Sequence, residues 1–349
     1  MKKTSLYFLD NLPSKKDFLQ QLLLPDDDQL LFVFDHKLLK LPRFKIWITR
    51  FTHRYSVHAG EQLKSLDAFP VHVHKILKKC PQMNTKAFKI VSVGGGSVGD
   101  FSGFLASVLK RGVGLVHIPT TWLSAMDSAH GGKTALNVGH FKNQIGSFYN
   151  ADKVFLIASI LKKQPPALER SAKGELIKIA IIHGAGIFRY VQQNQQLDMV
   201  SMLPSLIKAK MKIVREDPLE KNGHRQILNL GHTVGHIIEG EYAKPHGESV
   251  MLGLLFSLRW SYQLKYINKD KFEAMERLIL NHLSVANFKF YQKLLMPKKI
   301  FLKALLQDKK LTKLNKLSFI FIKSAGDIKR VKVHAKALMN EAIRQGIVK

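Results

Sequence analysis

Apolar positions along this chain keep two rhythms, and the change from one to the other divides it. Short continuous apolar runs mark the first part: Gln29–Asp35 (QLLFVFD), Lys45–Thr49 (KIWIT), Phe88–Val93 (FKIVSV) and Val113–Ile118. Runs of this length bounded by turn residues predict short buried strands. A helical pattern starting at the turn His58-Ala59-Gly60 extends to about Lys79, and another covers Phe101–Lys110. Past Leu156 the short runs give way to long helical periodicity over Glu169–Ile182, Leu203–Arg215, Val250–Tyr266 and His334–Arg344. Val250–Tyr266 is apolar nearly all round, which predicts a central buried helix. Leu317–Ile322 has the pattern of one short late strand. The expected organisation is an α/β domain over 1–157 and a mainly helical domain over 158–349.

A chain of 349 residues is long enough for two cores of that size. The single cysteine, Cys80, excludes an internal disulfide and a cysteine-based zinc cluster. The apolar stretch before Asp10 is too short for a signal-peptide core, and Val250–Leu258, broken by Ser257, is far below a membrane span. The expectation is a cytoplasmic protein with no membrane partner. Charge changes the picture more: 55 Lys and Arg against 26 Asp and Glu leave a formal +29. Such an excess favours anionic partners, from nucleic acid to phosphorylated and carboxylated metabolites. The lysines are spread along the chain rather than gathered in a tail, and no zinc finger, helix-turn-helix or RNP-type motif accompanies them, so nucleic acid is the weaker expectation.

Phe88–Val93 runs straight into Gly94-Gly95-Gly96-Ser97-Val98-Gly99-Asp100 and then a helical pattern. Strand, glycine turn, helix is the context in which G-x-G-x-x-G holds a pyrophosphate on backbone N–H groups at a helix start. The acid usually found about 20 residues on is missing, which leaves Asp35, at the end of its own strand, as the candidate ribose contact. Asp127-Ser-Ala-His-Gly-Gly-Lys-Thr134 lacks the leading glycine of a P-loop, yet Gly131, Gly132 and Lys133 still make an anion cradle, with Lys142 and Asn143 close behind.

Ile227–Glu248 (ILNLGHTVGHIIEGEYAKPHGE) concentrates His232, His236 and His246. His232 and His236 lie four apart and share a helix face. Imidazoles gathered this way suit a metal or proton-transfer site, but Thr233 stands where a HExxH protease needs glutamate. Glu175 and Lys178, spaced i,i+3, would by themselves be an ordinary surface ion pair.

In order, GGGSVGDFSGF, RGV, PTTWLSAMDS, GGKTALN, KNQIGSFY, GELIK, LNLGHTVGH, HGES and QDKK resemble the 3-dehydroquinate synthase family within the wider sugar-phosphate cyclases. The resemblance spans about Asp35 to Lys310. It implies a Rossmann-like α/β N-terminal domain holding NAD and an all-α C-terminal domain holding a divalent metal, Zn2+ or Co2+, with the active site between them in a homodimer. By motif, Glu175, His232 and His246 fall on the metal ligands. Asp35, Glu61, Lys64, Gly94, Gly95, Gly96, Asp100, Thr120, Thr121 and Lys142 fall with the dinucleotide. His236, Lys133, Lys178, Asn229, Arg225, Lys210, Asn143, Asp127, Arg111 and Lys310 fall on positions for an anionic sugar phosphate and its chemistry, Arg111 reaching a neighbouring subunit's site. The implied reaction converts 3-deoxy-D-arabino-heptulosonate 7-phosphate to 3-dehydroquinate and phosphate. A related cyclase and a non-catalytic nucleic-acid-binding protein on the same scaffold are the alternatives. Glu175 stands in Lys-Gly-Glu, where the family usually has Leu-Ala-Glu.

Overall fold

The structure, a computed structural model, describes residues 3–80, 88–306 and 315–349. It comprises two compact units, Met1–Glu169 and Arg170–Lys349, which meet within the helix Pro166–His183.

Among the described residues of the first unit eight strands follow one another: β1 (Ser5–Leu9), β2 (Leu30–Asp35), β3 (Arg54–Val57), β4 (Lys89–Gly94), β5 (Gly114–Pro119), β6 (Lys133–Val138), β7 (Phe141–Phe148) and β8 (Lys153–Ile157). Six of them form one sheet in the order β1-β8-β5-β4-β2-β3, every pair parallel. β2 is the apolar run LLFVF with every residue of it buried, as a strand covered on both faces requires. Strand order reverses between β2 and β4: the chain leaves β2 toward β3, then returns to β4 and proceeds to β5 the other way. The crevice outside the strand ends at such a reversal is where open α/β sheets hold ligands.

Lys45–Thr49 is not a strand. Pro42–Ile48 is a helix, started by Pro42 in its first turn. Its buried residues Phe44, Trp47 and Ile48 repeat at helical spacing while Ile46 is exposed, so the three-to-four period wins over a five-residue alternation. Trp47 meets the Phe18 ring edge-on at 5.7 Å and donates its indole N–H to Pro13 O at 2.7 Å. The helix expected from the turn at Gly60 to Lys79 is also interrupted. Glu61–Lys64 is a 3-10 turn, Ser65 bridges to Asn137, and the α-helix starts only at Phe69, with Pro70 in its first turn. The strands β1, β3 and β8 and the antiparallel hairpin β6–β7 went unpredicted; β3 has only four residues, and β7 is exposed along nearly its whole length.

The second unit is mostly helical. His246–Gln263 is buried nearly all round, as its sequence required. The expectation of an all-α domain needs one correction. β9 (Lys316–Ser324) and β10 (Asp327–His334) form an antiparallel hairpin, and Phe319 and Phe321 of β9 pack on Trp260 at 4.7 and 5.0 Å. β10 is the polar half of that hairpin, which hides it from a search for apolar runs. Among the described residues no helix is long and apolar enough to cross a membrane.

Candidate active site

In the second unit three helices, Pro166–His183, His232–Tyr242 and His246–Gln263, approach one another through glycine. A Cβ on Gly174 would stand 1.9 Å from Gly247 O, one on Gly247 1.5 Å from Ser171 O, and one on Gly253 1.8 Å from Gly231 O. Only a residue without a side chain lets backbones pass this closely. This accounts for Gly174 in Lys-Gly-Glu. The crossing is pinned by a hydrogen bond from Gly247 N–H to Ser171 Oγ at 3.1 Å. Glu175 follows one contact glycine and His246 precedes the other, so the crossing itself brings them together. Gly231, at φ 76°, turns the chain so that His232 begins its helix beside them.

Glu175 Oε1 lies 3.3 Å from His232 Nε2 and 3.3 Å from His246 Nε2. One donor atom from each of the three residues falls within 4.8 Å of the others. A cation about 2.0–2.2 Å from each donor fits that triangle. The opposite ring nitrogens support it. His232 Nδ1 is 3.1 Å from Leu230 O and His246 Nδ1 is 2.8 Å from Glu239 Oε2. Both acceptors hold the proton on Nδ1 and leave the Nε2 lone pair for a metal. One oxygen and two imidazoles suit a borderline ion such as zinc and leave coordination positions open. The donor set therefore fits a divalent metal.

Electrostatics agree. Burial disfavours ionised Glu175, but Lys178 and then His232 hold its carboxyl well below the usual range. Burial and the Lys178 charge push His232 down, against the pull of Glu175. Burial opposes a charge on His246, yet Glu175 and Glu239 together raise it to about 10, so a bound dication would replace that proton. Lys178 Nζ pairs with Glu175 Oε2, and both side chains are almost wholly buried, at 3% and 1% exposure. This is not the surface pair that i,i+3 spacing alone suggests.

Around this centre, His236 is exposed, its ring 5.1 Å from that of His232 and 5.8 Å from that of His246. Arg225 and Asn229 lie on the 3-10 segment His224–Asn229, against which the helix Met199–Glu216 carrying Lys210 packs. Arg225 is buried; its backbone N–H donates to Asp217 Oδ2 at 3.1 Å and its guanidinium to Pro218 O at 2.9 Å. Lys210 is buried as well. Lys310 lies outside the described residues.

The first unit assembles a second cluster at the C-terminal edge of its sheet. Gly94 to Gly96 link β4 to the helix Gly96–Val108, and Thr120 N–H donates to Gly94 O at 3.0 Å. A Cβ on Gly95 would come within 3.3 Å of Thr121. Buried Lys64 reaches Asp100 Oδ2 at 2.7 Å and Asn143 Oδ1 at 2.6 Å. Asn143, placed by motif with the substrate, thus meets Lys64, placed by motif with the dinucleotide. Burial raises the Asp100 carboxyl, against the pull of Lys64. Asp35 accepts from Lys37 N–H at 3.1 Å and caps the following 3-10 turn. Asp127 lies in the π-helical turn Ser124–Ser128, Lys133 opens β6, Lys142 is exposed on β7, and Arg111 sits at φ 64° in the turn before β5.

Two positioning residues were missed from sequence. Buried Asn137 donates to Glu61 Oε2 at 2.7 Å and accepts from Asn143 N–H at 2.8 Å; its signal was the final letter of GGKTALN. Glu239 holds His246; its signal was the i,i+3 spacing from His236.

A family model described as 3-dehydroquinate synthase N-terminal matches residues 54–171, and one described as 3-dehydroquinate synthase C-terminal matches residues 172–311. The chain is 36% identical over 255 residues to the 3-dehydroquinate synthase of Alkaliphilus oremlandii (strain OhILAs), covering 70% of this chain and 67% of that protein. A solved 2-deoxy-scyllo-inosose synthase, complexed with carbaglucose-6-phosphate, NAD+ and Co2+, superposes with a TM-score of 0.81 at 23% identity over 98% of this chain and 96% of that one. A 2-epi-5-epi-valiolone synthase from Streptomyces hygroscopicus with NAD+ and Zn2+ bound superposes with a TM-score of 0.77 at 17% identity over 99% and 98%. At these identities the two structural likenesses are of fold.

Proposed function

This chain belongs to the 3-dehydroquinate synthase family, and on that premise we propose that it converts 3-deoxy-D-arabino-heptulosonate 7-phosphate to 3-dehydroquinate and phosphate. The observation that carries the reading is the Glu175–His232–His246 donor set, with Glu239 and Leu230 O on the opposite ring nitrogens. Those three residues would hold Zn2+ or Co2+. Gly94, Gly95 and Gly96 with Asp35, Glu61, Lys64, Asp100, Thr120, Thr121 and Lys142 would hold NAD. The two groups supply Lewis acidity at a substrate hydroxyl and a reversible hydride acceptor, so no net redox change results.

The chain's own side chains do the rest. The substrate carries a phosphate and a carboxylate, and Lys133, Lys178, Lys210, Arg225, Arg111 and Lys310 neutralise both through charge-assisted hydrogen bonds. Lys178 and Arg225 are buried, which strengthens their attraction for an anion. Asn143, Asn229 and Asp127 orient hydroxyls by hydrogen bonding. His236 is the proton carrier at the phosphate end: exposed, and placed beside the donor imidazoles rather than among them. The cations stabilise phosphate as it leaves, after which ring opening and an intramolecular aldol step close the carbocycle.

The test is phosphate release by purified protein from the heptulosonate phosphate, with and without NAD and Zn2+, and from sedoheptulose 7-phosphate alongside. Release that needs both additions and is confined to the first substrate is expected, and His232→Ala should lose metal and turnover together. Preference for sedoheptulose 7-phosphate would move the assignment to another cyclase. Absence of NAD-dependent release together with salt-sensitive DNA retention would move it to a nucleic-acid-binding role.

A further inference from the structure

Glu239 enters the chemistry above only by holding His246, yet with His236 it completes a second donor set. His236 and Glu239 stand three residues apart on the helix His232–Tyr242 and are neighbours on its surface. His246 opens the next helix after the short connection 243–245, which returns its ring to them. One donor atom from each of His236, Glu239 and His246 lies within 4.8 Å of the other two. The His236 and His246 rings are 5.8 Å apart, tilted by 38°, and Glu239 Oε2 is 2.8 Å from His246 Nδ1.

Two imidazoles and a carboxylate are the same donors as in the first centre and suit the same borderline dications. The setting differs. Glu175 is fully buried, whereas His236 is exposed and Glu239 and His246 are half-buried. An ion can therefore arrive from solvent, and an exposed imidazole can swing to the bonding distance of about 2.0–2.1 Å. His246 addresses the two donor sets through opposite nitrogens, Nε2 toward Glu175 at 3.3 Å and Nδ1 toward Glu239. When both nitrogens bind metal, the Nδ1 proton leaves to solvent and the ring holds two ions on the order of 6 Å apart. Two dications at that separation repel, which makes the second site the weaker one.

We propose that His236, Glu239 and the Nδ1 side of His246 form a second, weaker divalent-cation site whose filling ties up His236 and limits turnover when metal is in excess. The proposal rests on the metal reading given above and deepens it: an imidazole whose lone pair is on a metal no longer carries protons for the substrate.

The test is equilibrium dialysis of metal-free wild type, His236→Ala and His236→Gln against Co2+ alone, with bound metal counted and the visible spectrum recorded at each step. Circular-dichroism melting checks that each variant folds. Wild type should take one equivalent tightly and a second at least about 100-fold more weakly. The spectrum of the first should shift as the second binds, because His246 is shared. Both variants should keep the first equivalent and lose the second, and phosphate release by wild type should fall as the second equivalent fills. Wild type that stops at one equivalent overturns the proposal, as does a second equivalent that both variants retain or that leaves the first spectrum unchanged. Loss of both equivalents together in folded His236 variants would make His236 part of the first centre and overturns a separate site. Phosphate release that is unchanged at two equivalents overturns the limit on turnover. Failure of wild type to take even the first equivalent overturns the metal reading itself rather than this one alone.

Discussion

Gly247→Ala puts a methyl group in place of a hydrogen at the point where two backbones touch. The new Cβ would lie 1.5 Å from Ser171 O and 2.6 Å from Ser171 C. Ordinary contact begins near 3.4 Å, and both neighbours are main chain, so no rotamer can absorb the overlap. The helices Pro166–His183 and His246–Gln263 must part by about 2 Å, and Glu175 and His246 part with them. A metal site tolerates ligand displacements of about 0.2 Å, a tenth of that movement. The expected outcome is loss of one ligand, seen as Co2+ affinity at least about 100-fold weaker and an altered visible spectrum. Overpacking should also cost about 1–3 kcal/mol of stability in the metal-free protein. Gly240→Ala is the control: it lies in the helix His232–Tyr242 and a Cβ there meets nothing within 4 Å. That variant should gain about 0.5–1 kcal/mol in the metal-free protein and bind Co2+ as wild type does. Wild-type Co2+ affinity and spectrum in Gly247→Ala would refute the account of how the site is built.

Three further outcomes follow from other parts of the molecule. Glu239→Gln keeps the shape but weakens the acceptor on His246 Nδ1, so metal affinity should fall about 10- to 100-fold in a competition titration with a chelator, with folding unchanged. Lys64→Met leaves the Asp100 carboxyl beside an apolar chain; unfolding in urea should show a loss of about 3 kcal/mol, and Asp100→Asn added to it should recover part of that. Burial pushes His117 down from 6.5 to about 4. The folded protein thus binds fewer protons there than the unfolded chain. The stability contributed is complete above pH 6.5 and is lost as pH falls through 4, about 3 kcal/mol in all. His117→Gln should flatten stability across that window in denaturant titrations, and an unchanged pH slope would sink the assignment.

Much of the site was legible because it is carried by residues that are contiguous or regularly spaced. The glycine turn between a strand and a helix, the four-residue step from His232 to His236, and the ordered run of motifs are properties of the chain read in one direction. Lys45–Thr49 failed for the opposite reason. Five alternating residues satisfy a strand, and only Pro42 ahead of them and the Phe18, Phe32 and Phe51 rings around Trp47 decide for a helix. The hairpins β6–β7 and β9–β10 were obscured because β7 and β10 bury too little to leave an apolar pattern.

By itself the sequence determined the family, the two-part architecture and the chemical kinds of residue available: one carboxylate and two imidazoles for a metal, a glycine turn for a pyrophosphate, and cations for anions. The tertiary structure alone decided that Glu175 and Lys178 are a buried pair, that Gly174 and Gly247 bring Glu175 to His246, and that Glu239 and Asn137 hold the donors and the turn in place. The reason is physical. Which groups a chain carries is local information, whereas burial and donor distance depend on how closely two backbones far apart in sequence pass. Here that closeness is set by the absence of a Cβ on each side of one crossing.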